Sequence, residues 1–520
     1  MPSRLTEGPL YCGVDAGTAS VRAGIFDASG AMLSRAVCPV AVHDLPGRRA
    51  EAASTEIWQA AARAVREARA IADVPAAAVA GLAFDATCSL VLADTTGAPL
   101  ALGPEGRDVI LWYDHRATEE AALCTATAHP VLETLGGAMS PEMQTPKLLW
   151  LKRRRPDLWA RLGGAWDLTD WLGHMATGQG ARSRNTLAAK WAHVAPADAI
   201  PPDFLAALDL ADMPARAGLG QGVIAPGARL GALRASAAEA LDLAPGIPVA
   251  AGLVDAFAGA LAMLGGLDTR ARTRSAALVA GTSSCIMVIG DAHWRAKGVW
   301  GPYADAILPG RVVHEGGQSA TGALLDDVLA RCPGLDHVGA QALAEAGLAA
   351  EGPGFGGEID VLPDVNGNRT PFADPDLGAI FCGITLDRSP EGTARLYWRA
   401  AVGSALGLRQ IVEHLRAAGP PIEALYVTGG HARSALLMQL LADATGCDVR
   451  VAEGCDGVLL GAAIAAAAPG RDLAATAQAM QPSWRRFTPR AAAARRLALD
   501  NTVFLRLQSE RAAIGALKRG

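Results

Sequence analysis

Two short stretches of the chain have residue types suited to holding phosphate. Ala16-Gly17-Thr18-Ala19-Ser20 and Ala280-Gly281-Thr282-Ser283-Ser284 share the pattern A-G-T-x-S and stand about half a chain apart. Alternating apolar residues flank each one, so each reads as the turn of a hairpin. Such a turn presents bare backbone N–H groups and a hydroxyl at one tip, and its glycine lets a phosphate approach the backbone. Two of these turns facing each other across a cleft would grip a nucleoside triphosphate from both sides. Asp15 precedes the first turn, where a carboxylate suits Mg²⁺ held through water. Taken singly, either turn is also consistent with an ordinary hairpin. The recurrence argues for a working pair.

A second carboxylate, Asp255, lies in Gly252-Leu253-Val254-Asp255-Ala256-Phe257-Ala258-Gly259, where a buried strand gives way to a helix. An aspartate at that junction can cap the helix. It can equally stand at a cleft edge and take the proton from an attacking hydroxyl in phosphoryl transfer. In a third stretch, 425–434, a strand runs into Gly429-Gly430 and a helix follows from about Ser434 to Thr445. Glycines there let a flat ring lie against the backbone, which suits the adenosine part of a nucleotide. This junction lacks the G-x-G-x-x-G spacing of a dinucleotide site, and no G-x-x-x-x-G-K-[ST] occurs in the chain. A dinucleotide dehydrogenase and a P-loop enzyme are therefore disfavoured.

The elements that must position these residues follow from local patterns. Hydrophobic alternation predicts strands over 11–26, broken at Gly17-Thr18, and over 32–40. Apolar spacing predicts a helix over 55–72 with Ser54 or Thr55 as its cap. Short strands are expected at 79–84 and 89–92, a mainly helical run over 118–172, a strand at 249–254, a helix at 256–264 and a second hairpin over 276–289. The repeated hairpin implies two related halves rather than a short-period array. With 520 residues, 51% hydrophobic, the chain has room for two or three domains. A net charge of −5 leaves no basic footprint for nucleic acid. The run Lys152-Arg153-Arg154-Arg155 reads as a solvated helix end. The longest apolar stretch, 458–468, is too short to span a membrane and ends at Pro469. The N-terminus shows no apolar core of a secretion signal. The nine cysteines are scattered and include no C-x-x-C pair, which argues against disulfides and structural zinc. A cytoplasmic location is expected.

In this order, the segments resemble the FGGY carbohydrate kinases, a branch of the actin-like ATPase superfamily. The match runs from about residue 10 to 467. VDAGTASVRAGIFD is similar to the family's first phosphate motif, ALVAGTSSCIMV to its second, LVDAFAGALA to the segment bearing the catalytic aspartate, and YVTGGHARSALLMQLLADATGCDV with GVLLGAAIAA to the adenosine-binding end. The segments FDATCSLVLAD, LWYDHRA, SPEMQTPKLLWLK, LAAKW, HEGGQSATG and NRTPFADPDLGAIFCG resemble ribulokinases in particular. SPEMQTPKLLWLKRR departs from the commoner family spacing, with Gln144 where a small hydroxyl residue usually stands. EGTARLYWRAAVGSALGLRQ fits the second family signature only loosely.

The resemblance implies an α/β fold of two RNase-H-like domains enclosing a cleft. Residues 8–262 would form the sugar side and 272–500 the nucleotide side. It implies ATP and Mg²⁺ as cofactors, Asp255 as catalytic base and Asp15 as the Mg²⁺ residue. Gly17, Thr18, Gly281, Thr282 and Ser283 would lie at the phosphates, and Gly429, Gly430 and Ser434 at the adenosine. Cys88, Asp114, Lys190, Asp255 and Glu315 would surround a pentulose, whose many hydroxyls need such partners. Alternatives stay open for three of these: Lys190 as an exposed lysine, Cys88 as a small buried hydrophobe, and Asp114 with Arg116 as a structural ion pair beside Trp112. The implied reaction phosphorylates the terminal hydroxyl of a ketopentose, ribulose first, to the 5-phosphate. Xylulose, L-ribulose or a pentitol are alternatives, as are an actin-like ATPase and a sugar sensor without kinase output. The expected partners are a small sugar and ATP, with no nucleic acid or membrane, and a homodimer is left open.

Overall fold

The computed structural model describes residues 8–194 and 197–519. In the first half, β1 (Leu10–Ala16), β2 (Ser20–Phe26) and β3 (Met32–Pro39) form an antiparallel meander. Helix α1 (Ser54–Ala72) packs on β2 and β3 through Ile57, Ala61, Val65 and Ala68. The chain then returns as β4 (Val79–Ala86), parallel to β1, and later as β5 (Leu253–Val254), parallel to β4. Every residue of β1 is buried, as expected of a strand covered on both faces.

The second half repeats the plan. β6 (Ser275–Ala280), β7 (Ser284–Gly290) and β8 (Val312–Gln318) form the meander. Helix α3 (Pro390–Ala418) follows, and β9 (Ala424–Thr428) returns parallel to β6, with β10 (Asp448–Ala452) parallel to β9. In both hairpins the first strand ends on the Ala of A-G-T-x-S and the second begins on its Ser. The expected pair of related halves is thus present in strand order, direction and turn. A smaller five-stranded sheet, which includes Leu90–Asp94 and Leu162–Asp167, decorates the first half.

Two helices join the halves. Helix α2 (Asp255–Leu264) leaves β5 and packs against β6, while α5 (Gly457–Ala467) packs against β1, β4 and α2. The approach is close enough to require glycine. A Cβ on Gly461 would stand 1.9 Å from the Ala258 carbonyl oxygen, and one on Gly13 would stand 2.5 Å from that of Leu459. All eleven residues of α5 are buried, which explains its unbroken apolar sequence. Among the described residues, no helix is long and apolar enough to cross a membrane.

Two local expectations change. Helix α1 starts one residue earlier than expected and has no side-chain cap, because the Ser54 backbone N–H and hydroxyl both donate to Asp108, at 2.8 and 2.6 Å. The helical run over 118–172 is interrupted by the strand Leu162–Asp167, where Gly163 and Gly164 weaken a helix and Leu90–Asp94 offers an open edge. The C-terminal helix α6 (Ala491–Arg519) packs against α3. It buries Leu497 and Phe504 and ties Asp500 to Arg399 at 3.1 Å.

Candidate active site

The carboxyl-terminal ends of β1, β4 and β5 converge, which is where open α/β sheets bind ligands. The parallel register sets Asp15 directly beside Asp85, and Leu253 beside Asp85 in turn, so Asp255 emerges two residues further on. Asp255 is the first residue of α2, with Val254 in the cap position. Its Oδ1 accepts only the Ala256 N–H, at 2.7 Å, so the carboxylate is not used as a conventional cap. It faces a cavity of about 850 Å³ between the two halves.

Eleven of the fourteen residues expected at the site line that cavity: Gly17, Thr18, Cys88, Lys190, Asp255, Gly281, Thr282, Ser283, Glu315, Gly429 and Gly430. Both hairpin turns therefore face one space, as the duplicated pattern suggested. Gly429 has a φ of +98°, and a Cβ there would lie 2.3 Å from the Ala280 carbonyl oxygen. A Cβ on Gly430 would meet nothing within 4 Å, so its bare backbone is left to the cavity.

The other three lie elsewhere. Asp114 is fully buried behind the wall, where it accepts the Ala50 N–H at 2.6 Å and holds Arg116 through contacts of 2.8 to 3.0 Å. The structural ion pair is the reading the geometry supports for it. The Ser434 hydroxyl caps α4 (Ala435–Thr445) and bonds Gln341 at 2.6 Å, while Ala432 and Arg433 face the cavity in its stead. Asp15 lies beneath the floor, fully buried and in contact with Arg22.

Electrostatics separate the site into two ends. Towards the hairpin turns, three carboxylates crowd together. Burial, with the Asp15 charge beside it, pushes the Asp255 carboxyl up to about 7. Burial and the same neighbour raise Asp85 well above the usual carboxylate range, and neither of its oxygens has a hydrogen-bond partner. Arg22 reaches into this group and also meets Asp456 of the second half, its Nη1 donating at 3.1 Å.

At the other end lie Lys190, Glu142, Glu315 and Arg369. Lys190 is buried rather than exposed. Burial pulls its pKa down, but the surrounding Cys88, Glu315 and Glu142 outweigh that and hold it above the usual lysine range. Burial acts to raise Glu142, yet His115, Arg369 and Lys190 prevail and hold it at about 2. Glu315 keeps one oxygen, Oε2, without a partner. Trp112 links the two ends by donating its indole N–H to the Thr18 hydroxyl at 3.0 Å. Unpaired acceptors beside a fixed ammonium suit a ligand with several hydroxyls.

Comparison with known proteins agrees with this geometry. The chain matches the N-terminal domain of the FGGY family of carbohydrate kinases over residues 10–262 and the C-terminal domain over residues 276–469. The chain belongs to the FGGY family of carbohydrate kinases. An FGGY carbohydrate kinase domain-containing protein of Danio rerio is 38% identical over 501 residues, covering 91% of each chain. D-ribulokinase YDR109C of Saccharomyces cerevisiae is 32% identical over 519 residues, covering 90% of this chain and 72% of that protein. The solved xylulose kinase from Rhodospirillum rubrum superposes with a TM-score of 0.78 at 23% identity, covering 97% of this chain and 99% of its own. The likeness is one of fold. The protein is a sugar kinase, and its two halves have the ribonuclease-H-like architecture of the FGGY kinases, which use ATP.

Arg22, Asp85, Glu142, Arg369 and Asp456 are residues of the site that the sequence reading did not single out. Each lies within or beside a segment it did quote. Arg22 follows the first turn by two residues, and Glu142 and Arg369 sit inside SPEMQTPK and NRTPF. For Arg22 with Asp456 and Glu142 with Arg369 the missing signal was pairing across the two halves, for which no sequence spacing exists, and for Asp85 it was the strand register that sets it beside Asp15.

Proposed function

We propose that this FGGY kinase transfers the γ-phosphoryl group of ATP to the terminal primary hydroxyl of ribulose, giving ribulose 5-phosphate. Residues 8–262 would act as the sugar-binding half and 272–500 as the nucleotide-binding half. The observation that carries the reading is the single cavity joining both Gly-Thr turns, Asp255 and the Lys190–Glu315 end. The yeast relative's name, D-ribulokinase, supports ribulose as the acceptor.

In this reading Gly17, Thr18, Gly281, Thr282 and Ser283 hold the phosphates through backbone N–H and hydroxyl donors, and the adenosine lies on Gly429-Gly430. Lys190 and Glu315 bind sugar hydroxyls, with Cys88 closing the wall between them. The reacting hydroxyl stands at Asp255, which takes its proton as the oxygen bonds to the γ-phosphorus and the bond to the ADP oxygen breaks. Most of the rate comes from alignment and charge neutralisation, and the base contributes the rest. Enclosure between the two halves keeps water from competing with the sugar.

The residues present fit Mg²⁺. Asp15 and Asp85 are hard oxygen donors, and the Asp85 oxygens lack hydrogen-bond partners. Asp15 lies beneath the cavity floor, at the carboxyl-terminal end of β1, and from there it would hold the ion through water together with the substrate phosphates. When bound, Mg²⁺ supplies neutralisation of the phosphate charge.

A coupled ADP-release screen across both enantiomers of ribulose and xylulose, the pentitols and glycerol tests the reading. Ribulose is expected to give the highest kcat/KM. A higher value for xylulose or a pentitol refutes the acceptor, and ADP release that no sugar stimulates refutes sugar phosphorylation.

A further inference from the structure

We propose that the Glu142–Arg369 ion pair is the end wall of the sugar site and sets the length of ketose that the enzyme accepts. The proposal rests on the ketose-kinase reading above. The main cavity does not simply close beyond Lys190. It stops at Trp112, Glu142 and Arg369, and these same three side chains form one face of a second chamber of about 300 Å³. The far side of that chamber is mixed, with Asp44, Arg48, His115 and Ser319 beside Leu45 and Tyr113. Side chains that line both spaces stand between them.

The partition is built from both halves of the molecule. Glu142 immediately precedes the helix Gln144–Arg154 of the first half, and Arg369 lies in a loop of the second. Glu142 Oε2 stands 3.6 Å from Arg369 Nη2, and its Oε1 stands 3.6 Å from His115 Nε2. The Arg369 guanidinium lies 5.2 Å from the Trp300 ring centre, and Lys190 Nζ lies 4.7 Å from the same ring. Trp300 thus holds the wall and the sugar-binding lysine in fixed relation. The ion-pair contacts are longer than hydrogen bonds, so the carboxylate and the guanidinium keep hydrogen-bonding capacity for the last hydroxyls of a ligand.

A ketose whose reacting hydroxyl is at Asp255 extends past Lys190 towards this pair. One or two further carbons would have to part the pair to reach the chamber behind it. Separating a largely buried ion pair is strongly unfavourable, which supports discrimination of about a hundredfold or more against longer chains. The polar groups of the chamber, Asp44, Arg48, His115 and Ser319, would accept extra CHOH units once the wall is open.

The test compares kcat/KM for ribulose, fructose and sedoheptulose, ketoses of increasing length, in the wild type and in Glu142→Ala/Arg369→Ala. Removing both partners leaves no unpaired buried charge. Wild type is expected to disfavour sedoheptulose about a hundredfold or more. The double variant should raise the sedoheptulose-to-ribulose ratio about tenfold or more. Adding Ser319→Phe, which fills the chamber from behind, should reverse that gain. Calorimetric ADP binding reports on folding, and Glu142→Gln/Arg369→Gln, which also removes both charges, should move the ratio in the same direction where the alanine pair does not fold. Equal wild-type turnover of ribulose and sedoheptulose, or an unmoved ratio in a folded variant, overturns the wall while ribulose kinase activity stands. Failure of the wild type to phosphorylate any ketose overturns the wall and the acceptor reading together.

Discussion

Replacing Asp255 with asparagine perturbs the proposed proton acceptor without changing its size. Burial and the Asp15 charge raise the Asp255 carboxyl from 3.8 to about 7, so near neutrality it is divided between base and acid. A positioned base contributes about 10²–10⁴-fold, and the variant should lose turnover by that factor while ATP binding measured by calorimetry is retained. The wild-type rate should rise with pH through about 7, falling to about a tenth of its plateau at pH 6, because only the ionised form accepts a proton. The variant should lose that limb.

Stability should move the opposite way. The folded carboxyl keeps its proton up to about pH 7 and the unfolded one loses it near 3.8, so the folded state binds more protons between those values. Wild-type stability therefore falls as pH rises through that window. Three units at 1.36 kcal/mol each set an upper limit of about 4 kcal/mol, which solvent in the cavity reduces. Asp255→Asn should melt higher than wild type at pH 8, with the gap closing towards pH 4. Near-normal turnover in the variant, or an acid limb that survives the substitution, would refute the assignment of the base.

Gly430→Val places a side chain where the backbone meets only open cavity, so the fold should survive while the KM for ATP rises about tenfold or more and the sugar KM changes far less. Equal effects on both constants would contradict the adenosine placement. Lys190→Met removes the ammonium between Glu315 and Glu142, and steady-state kinetics should show the sugar KM rising about ten- to a hundredfold with the ATP KM little changed. Gly461→Ala sets a Cβ against the Ala258 carbonyl where α5 crosses α2. It should destabilise the protein by about 1–3 kcal/mol, read as a lower melting temperature.

Much of the fold was legible because its signals are contiguous. The alternation in 11–26 and 276–289 marks both hairpins, and the Gly-Thr of each marks the turn, since strand and turn preferences act over a few residues. The strand Leu162–Asp167 was not legible, because its edge partner Leu90–Asp94 lies about 70 residues away and the surrounding sequence is helical. The Ser54 cap failed for the same reason. Asp108, distant in sequence, captures both of its donors.

The same division holds within the site. Residue types and local turns were enough to point to Gly17, Asp255, Gly281 and Gly430, because a nest or a strand-to-helix junction is a property of the few residues that form it. They could not show that Asp114 spends its carboxylate on Arg116 and Ala50, or that Ser434 is committed to Gln341. Nor could they pair Arg22 with Asp456, 434 residues further along, or Glu142 with Arg369. Those contacts belong to the meeting of two halves. Hydrogen bonds and buried charges depend on distance and on exclusion of water, and neither is defined until both sheets and the helices between them have packed.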